Sequence, residues 1–275
     1  MRWIAIPLVL LLAAVTPAFA AADLPIYDMH VHYSRSHWDV YTPAQVLEKM
    51  DRAGVVKALA SSTPDDGTLK LRQAAGGRIF AGFRPYRNSG DLGGWLSNPR
   101  LLSYAEKRMA ANSPHVVFGE IHILRADDVN SPLMSGYLEI VAKRKLYFHT
   151  HSDAIVVRAL IKKAPNLKVL WAHAGFFEPA PVVGELLDRH ANLWVELSYR
   201  AQDILPGDRL DPEWEKVLVR HTDRFVIGSD TWEVERWRAY EQIIGEHRAW
   251  LAKLPRPVAE KIAHLNAEKM LGGKN

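Results

Sequence analysis

Eight short runs of β-forming, largely apolar residues recur along this chain, and no other feature narrows its folding options as much. They cover 26–33, 55–62, 79–86, 116–124, 146–152, 167–175, 193–199 and 224–231. Between them lie stretches with helical spacing and helix-start signals, such as Thr42-Pro43 before 44–53, Ser131-Pro132 before 133–145, and Asp153 before 154–163. Strand starts fall about 20 to 40 residues apart, the length one βα unit needs, so consecutive strands are expected parallel with right-handed crossovers. Eight such units predict an α/β fold of the (β/α)8 TIM-barrel type, in preference to an open doubly wound sheet.

Length agrees once the N-terminus is set aside. Arg2, the apolar stretch 3–15 and the small-residue triplet Ala18-Phe19-Ala20 have the form of a secretory signal, so residues 1–20 are expected to be removed and the product to be periplasmic or secreted. The remaining 21–275 is then expected to form a single barrel domain. Arg2 is the one charged residue of the leader, so the net charge of +4 falls only to +3. That is too small to point to a nucleic-acid or membrane partner, and a small-molecule substrate is expected. With no cysteine in the chain, any metal must be held by nitrogen and oxygen, and disulfide or thiol chemistry is excluded.

Ionisable residues gather late in the β-type runs. Asp28, His30 and His32 alternate in the first, which predicts that they share one face and that the two imidazoles converge on one cation. Glu120, His149, His173 and Asp230 sit late in the fourth, fifth, sixth and eighth runs, where a barrel keeps its catalytic rim. Each alone has an ordinary structural reading, as a hydrogen-bonded core histidine or a helix cap. Together they would put several charges into one cavity, which is costly without a cation or a hydrogen-bond network.

Taken in order, Asp28-Met-His-Val-His32, Gly119-Glu120, His149, His173-Ala-Gly175, Gly228-Ser-Asp230 and Asn266-Ala267 resemble the amidohydrolase superfamily, its amidohydrolase-related branch in particular. The resemblance spans the whole mature chain. It implies a metal-dependent hydrolase with one or two divalent ions, zinc first, held by His30, His32, Glu120, His149, His173 and Asp230. It further implies that Asp230 contacts a metal-bound water as the base and that His173 is catalytic. Many binuclear members bridge their metals with a carbamylated lysine on the fourth strand. Residues 116–124 hold no lysine, which leaves Glu120 as the bridging carboxylate. TatD-like nucleases are similar in having Gly-Glu at this place but carry arginine where this chain has His151.

Arg84 and Arg87 after the third run are expected to grip an anionic group, with His122 and His151 beside the ligands as substrate contacts. His37, Tyr199 and Trp232 are candidates for the mouth, while His115, His190, His221, His247 and His264 read as structural or solvated. The glycine-rich stretch 90–99 has loop chemistry suited to a lid, and 236–254 reads as one long amphipathic helix. The leading function is hydrolysis of an ester, lactone, amide or related C–O or C–N bond. A metal-dependent decarboxylase on the same barrel is the alternative, and a non-catalytic metal-binding protein of the cell envelope is a third reading.

Overall fold

The computed structural model describes residues 23–273. The expected leader 1–20 lies outside the described residues. Eight strands follow one another in a single sheet: β1 (Ile26–Val31), β2 (Val55–Ala60), β3 (Ile79–Phe83), β4 (His115–His122), β5 (Tyr147–His151), β6 (Lys168–Trp171), β7 (Leu193–Glu196) and β8 (Phe225–Val226). Every neighbouring pair is parallel. A parallel bridge between Asp28 and Ile227, with Met29 N donating to the Ile227 carbonyl at 2.8 Å, joins β8 back to β1. The sheet is thus closed, and the fold is the expected (β/α)8 barrel.

Each parallel connection is long enough for a helix because the chain must return to the same edge of the sheet. The start signals act as read: Thr42 accepts from Gln45 N ahead of the helix Pro43–Arg52, Ser131 from Met134 N ahead of Pro132–Arg144, and Asp153 from Val156 N ahead of Ala154–Lys163. The alternation along each strand divides the core in two. One side of the strands packs on the helix ring, and the other fills the lumen with Met29, Leu59, Phe80, Val117, Tyr147, Leu170 and Val226. Ala267, Met270 and Leu271 of the last helix, Asn266–Leu271, join this inner cluster at the N-terminal mouth.

Four departures from the sequence reading have physical causes. In β1 the register shifts, three residues from Asp28 to Val31 standing against two from Ala58 to Ala60. The extra residue breaks the alternation, so Asp28 does not share a face with His30 and His32. Its carboxylate instead accepts from Tyr240 Oη (2.8 Å), Ser229 Oγ (2.6 Å) and Ser229 N (3.0 Å). Strands β6 and β8 are shorter than read, because His173 and Asp230 sit beyond their ends with φ of 57° and 48°. The stretch 90–99 is not a free loop. It holds the short helix Gly90–Gly94 and a turn whose Trp95 indole donates to the His122 carbonyl at 2.8 Å. Finally, 236–254 is two helices, Val234–Arg238 and Tyr240–Leu251, broken at Ala239.

Asn266 belongs to the floor of the barrel. Its Nδ2 donates to the carbonyls of Thr222 and Phe225, both at 2.8 Å, where β8 begins. Asn266→Ala leaves those buried acceptors unpaired and is expected to cost about 1–3 kcal/mol of stability. Urea titration reads the loss, and metal content and activity at 25 °C should be unchanged.

Candidate metal centre

At the C-terminal rim the ends of β1, β4, β6 and β8 bring together ligand-type atoms that their own partners have already oriented. His30 Nδ1 donates to Glu196 Oε2 at 2.8 Å, and His32 Nδ1 donates to the Ser61 carbonyl. With those protons assigned, both Nε2 atoms carry lone pairs, and they face each other at 3.1 Å. Two lone pairs at that distance repel, and either a proton on His30 or a cation shared with His32 would relieve the repulsion. Two nitrogens bound about 2.1 Å from one ion are separated by roughly 3 to 3.5 Å, so the spacing fits a shared cation.

The carboxylates complete the arrangement. Asp230 Oδ1 is 3.0 Å from His32 Nε2 and 3.5 Å from His30 Nε2, and Glu120 Oε2 is 3.5 Å from each. His30, His32, Glu120 and Asp230 thus form a buried group that can hold a metal ion. The other oxygen of Glu120 faces elsewhere, 3.1 Å from His151 Nδ1 and 3.3 Å from His173 Nε2, giving a second group of three. His173 is fixed in turn by Ser198 Oγ at 2.6 Å from its Nδ1. Its backbone N donates to Glu196 Oε2 at 3.2 Å.

His149 stands apart from both groups. It is fully buried with its ring edge-on to His30, centroids 4.5 Å apart, and neither of its nitrogens has a hydrogen-bond partner. An unpartnered buried imidazole is a donor that a metal ion beside it would satisfy.

The electrostatics call for a cation as well. Burial opposes ionisation of Asp230, yet His30 and His32 hold its carboxyl below the ordinary range. Glu196 is likewise disfavoured by burial but drawn down to about 2 by the charge and hydrogen bond of His30. Burial works against a charged His30, and Asp230, Glu120 and Glu196 nevertheless push it well above its usual value. Ionised carboxylates therefore surround histidines whose Nε2 atoms converge, and one imidazolium shared among them leaves excess negative charge. A bound cation would offset that excess.

Two glycines make room for this. A β-carbon on Gly228 would overlap the Glu196 carboxylate, and one on Gly119, which has φ of 116°, would overlap the His149 carbonyl. That accounts for the glycines in Gly119-Glu120 and Gly228-Ser-Asp230.

Over the centre opens a cavity of about 1030 Å³. Arg84, Arg87, His122 and His151 line it, as do Tyr199 and Trp232. His37 does not, since its ring is buried under Tyr33 with Nδ1 accepting from Ser34 N. Arg84 Nη2 contacts Glu120 Oε2 at 3.0 Å, and Arg87 is held by both oxygens of Asp91. His122 stacks on His151, ring centroids 4.4 Å apart. Burial, more than its charged neighbours, pushes its pKa down to about 3 and keeps it neutral. Of the histidines read as structural, His247 donates to the Gly228 carbonyl, and His115, the first residue of β4, bridges Asp65 and Ser113.

The family model described as amidohydrolase matches residues 27–273. The chain belongs to the amidohydrolase family. Among solved structures, this amidohydrolase is similar to a probable 2-pyrone-4,6-dicarboxylic acid hydrolase from Acinetobacter baumannii with citric acid bound. That match has 13% identity and a TM-score of 0.61, over 90% of this chain and 100% of the other. A TatD homologue from Escherichia coli K12 is similar at 16% identity and TM-score 0.59, over 90% and 97%. A 5-carboxyvanillate decarboxylase from Novosphingobium aromaticivorans, complexed with manganese and a nitrobenzoic acid, is similar at 11% identity and TM-score 0.56, over 90% and 96%. No curated protein sequence matches significantly.

Glu196 is the residue that sequence reasoning missed. Its only signal was a carboxylate inside the apolar run Leu193–Leu197, two positions before Ser198. Because it sets the His30 tautomer, Glu196→Gln is expected to weaken divalent-metal affinity roughly 10- to 100-fold in an intact barrel. Metal titration with a competing chelator measures this, and Gly228→Ala should move affinity the same way by displacing Glu196.

Proposed function

We propose that this amidohydrolase is a metal-dependent hydrolase that cleaves an ester, lactone, amide or related C–O or C–N bond of a small substrate. The observation that carries the reading is the convergence of His30 Nε2 and His32 Nε2, 3.1 Å apart, beside Glu120 and Asp230 under an open cavity. His30, His32, Glu120 and Asp230 would hold a divalent ion, whose Lewis acidity would lower the pKa of water toward neutrality and polarise the scissile carbonyl. The nitrogen-rich, sulfur-free donor set suits zinc, and manganese is the competitor that elemental analysis must separate from it.

The protein residues divide the remaining work. Asp230, ionised at neutral pH and lining the cavity, accepts the proton of the attacking water and returns it to the leaving group. His173, fixed by Ser198, stands across from it with Nε2 3.8 Å from Asp230 Oδ2; it would hold the second ion of a two-ion site, and with a single ion it would orient the nucleophile and stabilise charge that develops on the substrate oxygen. Glu120, with one oxygen toward each group of ligands, would be a ligand common to both ions of a two-ion site. Two equivalents of metal per chain are therefore expected, falling in Glu120→Ala. One equivalent in fully active enzyme would leave Glu120 outside the coordination sphere.

Asp230→Asn should keep metal at His30 and His32 and lower turnover by about a hundredfold or more. Metal analysis of that variant beside a panel of lactones, esters and amides is the decisive measurement, with carbon dioxide assayed as a product. Near-parental turnover by metal-loaded Asp230→Asn would remove Asp230 as the base, and release of carbon dioxide would make the enzyme a lyase.

We further propose that the chain is exported with loss of residues 1–20, on the strength of the Ala18-Phe19-Ala20 site. Mass spectrometry of the periplasmic or secreted fraction should find a chain beginning at Ala21. Intact Met1 on cytosolic protein would overturn this.

A further inference from the structure

A second polar cluster lies where β4 begins, at the other end of that strand from Glu120 and His122, and the metal centre makes no use of it. Ser113 Oγ is 2.6 Å from His115 Nδ1, and His115 Nε2 is 2.7 Å from Asp65 Oδ1. An ionised carboxylate only accepts, so the proton of a neutral His115 sits on Nε2 and Nδ1 carries the lone pair. Ser113 must then donate to it. Hydroxyl, base and carboxylate stand in series, the relation by which a serine nucleophile is activated. The two ring nitrogens are exchanged relative to the serine protease arrangement. Either nitrogen of an imidazole can take a proton, so the exchange leaves the chemistry intact.

Each member is held in place. Asp65 is fully buried, and its other oxygen accepts from Arg108 Nε at 2.7 Å. Phe83 packs edge-on to the His115 ring, centroids 5.6 Å apart. Arg144 donates to the carbonyls of Met109 and Ala110, both at 2.9 Å, and of Ser113 at 2.7 Å, which pins the turn carrying the hydroxyl. A 3.5 Å contact from His115 N to Ser113 Oγ closes the same turn. Closing a turn does not require a buried carboxylate behind the imidazole.

The cluster also has somewhere to put a substrate. Ser113, half-buried, and His115 line a cleft of about 350 Å³ together with Arg72 and Arg144. Lys145 and Leu146 line both this cleft and a neighbouring groove of about 380 Å³, where Leu138, Val141 and Leu167 are found. Cations beside the hydroxyl favour the oxyanion that forms when a carbonyl is attacked, and an apolar groove accepts a hydrocarbon chain.

We propose that Ser113, His115 and Asp65 form a second hydrolytic site, independent of the metal centre, whose substrate is a carboxylic ester with an apolar acyl chain. Ser113 Oγ attacks the ester carbonyl while His115 Nδ1 takes its proton. Collapse of the tetrahedral intermediate breaks the acyl C–O bond, and the proton passes from His115 to the departing alcohol. Water then attacks the acyl-serine with His115 again as base. The proton returns to Ser113 Oγ as the carboxylic acid leaves. Ser113 and His115 touch the reacting atoms, whereas Asp65 is a positioning residue that holds the tautomer.

The test treats the full chain, metal-loaded and chelator-treated, with a fluorophosphonate and follows hydrolysis of p-nitrophenyl acetate and octanoate. Peptide mass spectrometry is expected to find the phosphonyl adduct on Ser113 in both samples and none in Ser113→Ala. The part of ester turnover that Ser113→Ala removes should favour octanoate over acetate by about tenfold or more in kcat/KM, the scale on which methylenes in an apolar pocket discriminate. His115→Gln should slow adduct formation by about a hundredfold or more. Asp65→Asn should slow it too and move the His115 proton to Nδ1, which nitrogen NMR of the imidazole reads directly. Urea titration confirms that each variant is folded. A folded parent protein without a Ser113 adduct overturns the proposal, as does labelling of His115→Gln at the parental rate. Labelling that disappears on chelation overturns the independence from the metal centre, and equal turnover of the two esters overturns the acyl-chain assignment.

Discussion

Much of the rim depends on one buried hydrogen bond, from His30 Nδ1 to Glu196. It fixes the tautomer of His30 and so turns the Nε2 lone pair toward His32, Glu120 and Asp230. The same carboxylate accepts from the backbone N of Ser198 and of His173, tying β7 to the turn after β6. It can sit there only because residue 228 has no side chain. Three carboxylates buried within reach of His30 need positive partners, which His30 itself and Arg84 on Glu120 supply in part. A cation at the candidate site would add to them, so it would matter to the rim's stability as well as to its chemistry.

A second network braces the rim from outside. The extra residue in β1 turns Asp28 toward the helix layer, where Tyr240 and Ser229 saturate it, while burial pushes its pKa up to about 6. Ser229 N and Oγ bind Asp28, and Asp230 N binds the His30 carbonyl at 2.7 Å, so the two sides of the barrel seam are laced through Ser229 and Asp230. Arg236 clasps the carbonyls of Ser229 and Asp230 from the other direction. The left-handed backbone of Asp230 is held by contacts on both sides, as strained functional positions must be.

The sequence made the barrel legible because parallel strands and helix caps are local signals repeated eight times. The histidine pair, Glu120, His173 and Asp230 were legible because they stand late in those repeats, and the structure brings them together. What was not legible depends on tertiary detail. A bulge cannot be read from alternation, so Asp28 was placed on the wrong face. The choice between His149 and His151 as neighbours of Glu120 turns on how deep each lies along one face of β5. Glu196 was passed over because a lone carboxylate in an apolar run means little until its partner, more than 160 residues away, is in view.

The last helix has a kinetic consequence. Ala267, Met270 and Leu271 close the lumen at the N-terminal mouth, and the layers of Met29, Leu59, Phe80 and Leu170 above them leave the site to be approached from the opposite rim, where its cavities open. Substrate, product and any ion would then enter and leave from the same side. A ligand filling the large cavity would hinder escape of an ion held beneath it, so residence of a metal there would depend on what lies above it as well as on the strength of its ligands.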